Sequence, residues 1–143
     1  MGVEDDVAIG NRGATIVEER DVAYMKNTSG AQRVQGDVVM LKAVAAGDEV
    51  DVPNGVGVDN VFGMILETID NNAYGYIQTY GWTRRLKATN AGGNIAVGDF
   101  LCTENGVRAR LAAAGDMAFA IALEACVVAD SYIDALIIKP RKL

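Results

Sequence analysis

The sequence contains no histidine. That removes the Ser-His and Cys-His pairs of nucleophilic catalysis and every zinc site built on imidazole. Cysteine is nearly as scarce. Cys102 and Cys126 are the only two, too few for a Cys-rich metal site. They lie far apart within apolar, β-like runs, where buried reduced thiols are the simplest reading and a disulfide between them stays open. No lysine follows a glycine, so no GxxxxGK[ST] phosphate loop exists, and Gly55-Val56-Gly57 lacks the third glycine of GxGxxG. Acidic residues are plentiful, but no DxDxDG loop gathers them around a hard cation. The expectation is a protein that is not an enzyme, with no catalytic residues, no cofactor and no metal.

Other absences narrow the setting. No apolar run approaches the ~20 residues that cross a bilayer, so no membrane partner is expected. Glu4, Asp5 and Asp6 stand where a signal peptide would be basic, which points to synthesis in the cytoplasm. The net charge is −6. An acidic surface disfavours phosphate backbones, so direct nucleic-acid binding is not expected. At 143 residues the length suits one domain able to bury roughly 70% of its extended-chain surface.

What is present is centred on Val61–Thr83. Val61–Ile69 is apolar and β-branched, Asp70-Asn71-Asn72 is turn-forming, and Ala73–Thr83 alternates, which together predict a β-hairpin. Tyr74, Tyr76, Tyr80 and Trp82 share one parity, and Ala73, Gly75, Ile77, Thr79 and Gly81 the other. Period two sends the aromatics to one face and the small residues to the other. Aromatics so placed on a central hairpin are more often partly buried than free.

Upstream, residues 1–35 read as an extended arm with scattered apolar anchors and no helical stripe; only Ala14–Val17 has the makings of a strand. The alternatives are a disordered terminus and an arm that orders against a neighbouring subunit. Val7, Ile9, Ile16, Val17, Val22 and Tyr24 favour the second, because plain linkers lack such residues. Residues 36–143 form the domain. Short strands are predicted at Asp37–Val44, Glu49–Val52, Leu86–Thr89, Ile95–Val97, Phe100–Thr103, Val107–Leu111 and Ser131–Lys139, the last stopped by Pro140. Met117–Val128 is ambiguous between strand and helix. Turn signals recur every ten residues or so, among them Pro53-Asn54-Gly55 and Glu104-Asn105-Gly106. This pattern predicts an all-β fold, a small barrel or sandwich. Phe62, Met64, Leu66, Ile121, Leu123, Ile133, Leu136 and Ile138 are the expected core.

The chain also echoes itself. Gly36-Asp37-Val38-Val39 resembles Gly98-Asp99-Phe100-Leu101, Ala45-Ala46-Gly47-Asp48 matches Ala113-Ala114-Gly115-Asp116, and the segment Phe62–Thr68 parallels Phe119–Ala125. The order is the same in both halves, so either a β unit is repeated or common turn words recur by chance. A true repeat makes Glu67 and Glu124 equivalent, and such residues are more often structural than a catalytic pair. One cationic feature stands against the acidic background. Trp82-Thr83-Arg84-Arg85-Leu86-Lys87 places three cations beside the aromatic run, and Arg108, Arg110, Lys139, Arg141 and Lys142 add more. Cations of this kind either guard strand edges against aggregation or meet an acidic partner surface.

The joint order of GDVV, FGMILET, YGYIQTYG at 74–81, AVGDFL at 96–101, AAGD and FAIALEA resembles the small capsid decoration, or cement, proteins of tailed bacteriophages. It is similar to the group with a β-tulip-like barrel, some of which carry a recombinase label that the missing phosphate loop contradicts here. The resemblance covers about Gly36–Lys139. It implies a homotrimer on the outer surface of the virion capsid, made in the host cytoplasm, with the major capsid protein and itself as partners. It further implies a role in stabilising the expanded head by non-covalent contact. On that reading the capsid and subunit contacts fall to Val7, Ile9, Arg12, Ile16, Val17 and Arg20 of the arm, and to Trp82, Arg84 and Arg85. Two other classes remain. One is a different virion β-domain, from a tail or a fibre base. The other is a carbohydrate-binding module using the Tyr74, Tyr76, Tyr80 and Trp82 face.

Overall fold

The computed structural model describes residues 20–43 and 46–143. Within them the fold is all-β. Nine strands follow in chain order: β1 (Arg20–Asn27), β2 (Val38–Leu41), β3 (Glu49–Asp51), β4 (Val61–Ile65), β5 (Tyr74–Ala88), β6 (Phe100–Thr103), β7 (Ala109–Leu111), β8 (Met117–Ala122) and β9 (Ser131–Lys142).

Strand pairing closes two rings that share β5. The first runs β1-β3-β2-β4-β5 and returns to β1. The second runs β5-β7-β6-β8-β9 and returns to β5. The handover falls at Gly81, which pairs with Arg20 of β1 and with Ile137 of β9. Every described strand therefore has a neighbour on each side, the arrangement that removes sticky edges.

Each ring has its own core, fed by all five of its strands. Met25, Val39, Val50, Ile65 and Ile77 fill the first, with Ile69 beside them. Leu86, Leu101, Ala109, Phe119, Ala120, Ile133, Ala135 and Ile137 fill the second. Val38, Val61 and Met64 reach that second core from β2 and β4. Those two strands are thus buried on both faces, which is why VVM and GMI are unbroken apolar runs rather than alternating ones.

The internal echo is structural. Gly36 N–H donates to Ile65 O (2.9 Å) and Ile65 N–H to Asp37 O (2.9 Å). Gly98 and Ala122 do the same with Ala122 O (2.7 Å) and Asp99 O (2.9 Å). Isolated bridges follow suit at Arg33–Ile69 and Ile95–Cys126. In chain order β1 to β5 match β5 to β9, including the parallel pairs β1–β3 and β5–β7. The Ala-Ala-Gly-Asp pair is not equivalent. Gly47-Asp48 leads into β3, Gly115-Asp116 leads into β8, and Ala45 lies outside the described residues. What Asp116 shares with Asp37 and Asp99 is a turn. Each Oδ2 accepts the N–H three residues upstream, at 2.8, 3.0 and 2.8 Å respectively, an Asx-type closure at these three Gly-Asp turns.

Several expectations need correction. Residues 20–35 are not arm: Arg20–Asn27 is a full strand of the first ring, its alternation blurred because β1 exposes Val22 and Tyr24. Residues 1–19 lie outside the described residues. β5 does not end at Thr83 but runs to Ala88, absorbing most of the separate strand expected at Leu86–Thr89. Ile95–Val97 makes only a bridge at Ile95. Pro140 does not stop β9. The β8–β9 register passes from Ala120–Ile137 to Ala118–Arg141, so Pro140 sits in a bulge where no ladder N–H is required. Among the core candidates, Met64 and Ile133 are fully buried, Phe62, Leu66, Ile121, Leu136 and Ile138 are half-buried, and Leu123 is exposed. Period two puts Ile133, Ala135 and Ile137 on the inner face of β9, leaving Leu136 and Ile138 on the other.

Asp37 also ties the rings together. Its Oδ1 accepts from Lys87 Nζ at 2.6 Å, with both side chains largely covered, and Lys87 N–H donates to Gly36 O at 3.1 Å. Gly36 sits at φ +97°, and a Cβ there would strike the carbonyl oxygen of Arg85. Its counterpart Gly98 has φ +93° but open space around it.

This contrast yields a test. Gly98→Ala carries only the left-handed backbone cost, about 1–2 kcal/mol. Gly36→Ala adds an overpacking cost of about 1–3 kcal/mol. Chemical denaturation of the two variants is expected to rank them in that order; equal losses would mean that the approach to β5 contributes nothing. A second test concerns Cys102, which is buried and donates to Asp116 Oδ2 at 3.5 Å. Burial, then the Asp116 carboxylate, pushes its thiol from 9.0 up to about 12. The folded state therefore holds this proton to higher pH than the unfolded chain, so the stability tied to it is full below pH 9 and is lost between about 9 and 12. Cys102 is expected to resist iodoacetamide at pH 8 in the folded protein, by mass spectrometry, and Cys102→Ala should flatten the stability loss in that alkaline window.

Candidate functional site

Of the candidate contact residues, Val7, Ile9, Arg12, Ile16 and Val17 lie outside the described residues. The other four converge. Arg20, Trp82, Arg84 and Arg85 line one pocket of about 180 Å³, together with Gln35, Leu66, Gln78 and Thr83.

Local backbone geometry explains the gathering. Arg20 opens β1 opposite Gly81, one residue before Trp82. Between Thr83 and Leu86 the register of β5 against β9 shifts, Thr83 pairing with Ala135 and Leu86 with Ile133. That bulge breaks the alternation and leaves the consecutive Arg84 and Arg85 both exposed. Beneath them Gln78 is fully buried, its Nε2 donating to Tyr80 O (3.2 Å) and Trp82 O (3.1 Å). This amide clamps the backbone of the pocket wall, and its Oε1 is buried with no hydrogen-bond donor among the described residues.

The guanidiniums are held by rings. Arg84 Cζ lies 4.6 Å from the centroid of Trp82 and Arg85 Cζ 4.2 Å from that of Tyr132. Each such contact contributes about 0.5–1 kcal/mol at an exposed site and limits side-chain freedom. Elsewhere cations meet carboxylates, as in Arg110–Glu104 at 3.1 Å and Lys142–Asp59 at 2.6 Å. Arg84 and Arg85 make no ion pair among the described residues, so their charge is offered outward. The pocket is a cationic spot on an acidic protein, suited to carboxylates or to backbone carbonyls.

A second depression continues from it. Arg20, Gln35 and Leu66 line both, and Val22, Glu67 and Tyr76 complete a groove of about 370 Å³. Beside it the outer face of β1 and β5 carries tyrosines. Tyr24, Tyr74, Tyr76 and Tyr80 are 58%, 46%, 47% and 37% exposed, so this face is open rather than partly buried as expected, with only Trp82 half-covered. Tyr24 stacks on Tyr74 at 5.5 Å and 20°, and meets Tyr76 at 5.0 Å. The Tyr74 hydroxyl donates to Asp48 Oδ2 at 2.8 Å, which, with the nearby carboxylate charge, raises its pKa above 10.0. The sequence reads Tyr24 as an anchor of the arm, and β1 places it instead on this face. Its spacing from Val22 and Lys26 was the available signal.

Glu67 and Glu124 do occupy equivalent places, and each accepts an N–H of the following strand. Glu67 Oε2 accepts Tyr76 N–H at 3.2 Å and Glu124 Oε1 accepts Asp134 N–H at 2.9 Å. They fasten β4 to β5 and β8 to β9 and do not face one another across a cleft. Among the described residues no group of His, Cys, Asp or Glu is placed to hold a metal ion, and no helix is long and apolar enough to cross a membrane.

No family model matches the chain, and no curated protein matches it. Among solved structures it is similar to the N base of the head fiber protein gp8.5 of bacteriophage phi29. That likeness covers 87% of this chain and 98% of that one, with a TM-score of 0.54 and 17% sequence identity. The two chains share a fold.

Proposed function

We propose that this chain is a structural protein of a phage virion. It sits on the outer surface of the expanded capsid as a homotrimer and stabilises the shell through non-covalent contacts with the major capsid protein. The observation that carries the proposal is the fold, common to nearly the whole of a phage head-fiber base. The site chemistry is compatible with adhesion. The Arg20–Trp82–Arg84–Arg85 pocket joins aromatic and arginine side chains, the types that anchor protein interfaces. It acts without a reactive centre.

Energetically such a protein works by area and number. At roughly 25 cal/mol per Å² of apolar surface, a footprint of about 800 Å² per partner is sufficient for a specific contact. Three copies around one axis multiply it by effective concentration rather than by new chemistry. A local cationic pocket on a protein of net charge −6 steers it to one acidic patch and away from others. A second reading, a fibre base, is favoured by the identity of the structural neighbour. Both readings place the chain on the head; they differ in whether it ends there or carries a projecting segment.

The test is to mix purified protein with undecorated expanded heads and image them by cryo-electron microscopy. Regular density at three-fold or quasi-three-fold positions is expected, with a trimeric mass by light scattering. Arg84→Glu with Arg85→Glu should weaken head binding by about tenfold or more, as charge reversal at an anchor does, without changing the trimer. Deleting residues 1–19, and no further because β1 starts at Arg20, should leave a folded trimer that binds heads poorly. A monomer in solution would overturn the trimer, bare heads would overturn the capsid seat, and density confined to a few projecting sites would select the fibre base.

A further inference from the structure

We propose that the outer face of β1 and β5 is a binding site for a neutral saccharide, with the groove beside Tyr76 as its main subsite. This goes beyond a structural role in the virion and does not depend on it.

The first support is the platform. Tyr24, Tyr74 and Tyr76 form a contiguous aromatic surface whose rings brace one another. All three are about half exposed. Pyranose rings present a face of C–H groups that packs on such rings, while their edges carry hydroxyls that need partners. The hydroxyl of Tyr74 is already tied to Asp48, which holds that ring in place before any ligand arrives.

The second support is the groove. Its lining mixes the two kinds of surface a sugar needs. Tyr76, Val22 and Leu66 are the apolar part; Gln35 and Glu67 are flat polar groups able to make hydrogen bonds to neighbouring hydroxyls. Glu67 is positioned through its Oε2, which accepts Tyr76 N–H. Its Oε1 accepts no hydrogen bond among the described residues and remains available to a ligand hydroxyl. Glu67, of a residue type depleted at the centre of protein interfaces, lines this groove, which disfavours a protein partner there. Single-stranded nucleic acid also stacks on tyrosine, but Asp48 and Glu67 flank these rings and would repel its phosphates.

The third support comes from the repeat. The β4–β5 pair Ile65–Ile77 corresponds to the β8–β9 pair Ala122–Ala135. Tyr76 therefore matches Asp134, Gln35 matches Val97, and Leu66 and Glu67 match Leu123 and Glu124. The same scaffold stands in the second ring without an aromatic at the Tyr76 place and without an amide at the Gln35 place. The fold does not require them, so their presence in the first ring is explained by the ligand.

Saturation-transfer NMR on the full chain, with glucose, galactose, N-acetylglucosamine and their β1–4 oligomers as probes, tests this. At least one probe is expected to receive saturation, strongest at its C–H face, and titration should give a millimolar to high-micromolar Kd. Tyr76→Asp installs the residue that the second ring already carries, so it is expected to fold. It should weaken binding by about tenfold or more, and Tyr24→Ala should weaken it several-fold. Arg108→Ala, which removes a half-exposed residue paired with Asp130 and lining neither pocket, should leave it unchanged. Absence of signal from every probe overturns the proposal, as does undiminished binding in Tyr76→Asp. Dissociation of the oligomer on Tyr76→Asp, with no sugar signal from the native protein, would instead identify the face as a seam between copies and overturn the proposal equally.

Discussion

The structure depends on one strand serving two closed sheets. β5 is the last wall of the first ring and the first wall of the second, and the change of partner takes place at Gly81. The half of β5 up to Gly81 pairs with β4 and β1, and the half from Gly81 on with β7 and β9, so each ring takes its fifth wall from one continuous strand. Val38, Val61 and Met64 of the first ring also pack into the second core, so the two cores are expected to stand or fall together. The buried Asp37–Lys87 pair reinforces this, since it links the turn before β2 to the far half of β5. Breaking one partner of a buried pair leaves an uncompensated charge, a penalty of about 3–5 kcal/mol.

The handover also decides where the site lies. A strand that passes from one ring to another must change curvature, and β5 does so with irregular registers on either side of Gly81: one near Tyr80 against β1, one between Thr83 and Leu86 against β9. Irregular pairing turns side chains out of strict alternation. Arg84 and Arg85 are exposed together for this reason, and Gln78 is buried although Tyr76 and Tyr80, of its parity, are not. The pocket, the groove and the tyrosine face all border this junction. Their chemistry differs along its length, cationic at the Trp82 end and acidic near Asp48 and Glu67.

How much of this was legible follows from the same facts. The hairpin at 61–83 was readable because its turn is marked by Asp70-Asn71-Asn72, with Asn72 indeed at φ +66°, and because β5 alternates. The all-β class and β6 at Phe100–Thr103 were readable from punctuation. The repeat was readable at its Gly-Asp and Phe-led words, since these mark a turn and a strand start, and failed at Ala-Ala-Gly-Asp because its Gly-Asp precedes β3 in one half and β8 in the other, strands that are not equivalent. β1 was not readable: paired on both sides yet exposing Val22 and Tyr24, it has no clean periodicity. The inner face of β9 was not readable either, because Ile133 to Ile138 is apolar on both parities and only the ring closure selects between them. Of the site, the local cluster Trp82–Arg85 was visible in sequence. Its union with Arg20, Gln35 and Tyr76 was not, since it arises from register across strands far apart in the chain.

A repeat sharing a strand relieves a constraint that a single barrel would impose. Equivalent positions must satisfy the same backbone bonds, and they do, from Gly36 and Gly98 to Glu67 and Glu124. Positions that face outward need only be compatible with the ladder. There the halves have diverged: Tyr76 opposite Asp134, Gln35 opposite Val97, Leu66 at the base of a groove opposite Leu123 on an open surface. Among the described residues the second ring carries the larger core, while the first has six buried apolar residues of its own and the broader aromatic surface. The larger core thus lies in one half and the broader exposed aromatic surface in the other. Since the halves share β5, the ring with the larger core holds in register the strand that carries Tyr74, Tyr76, Arg84 and Arg85.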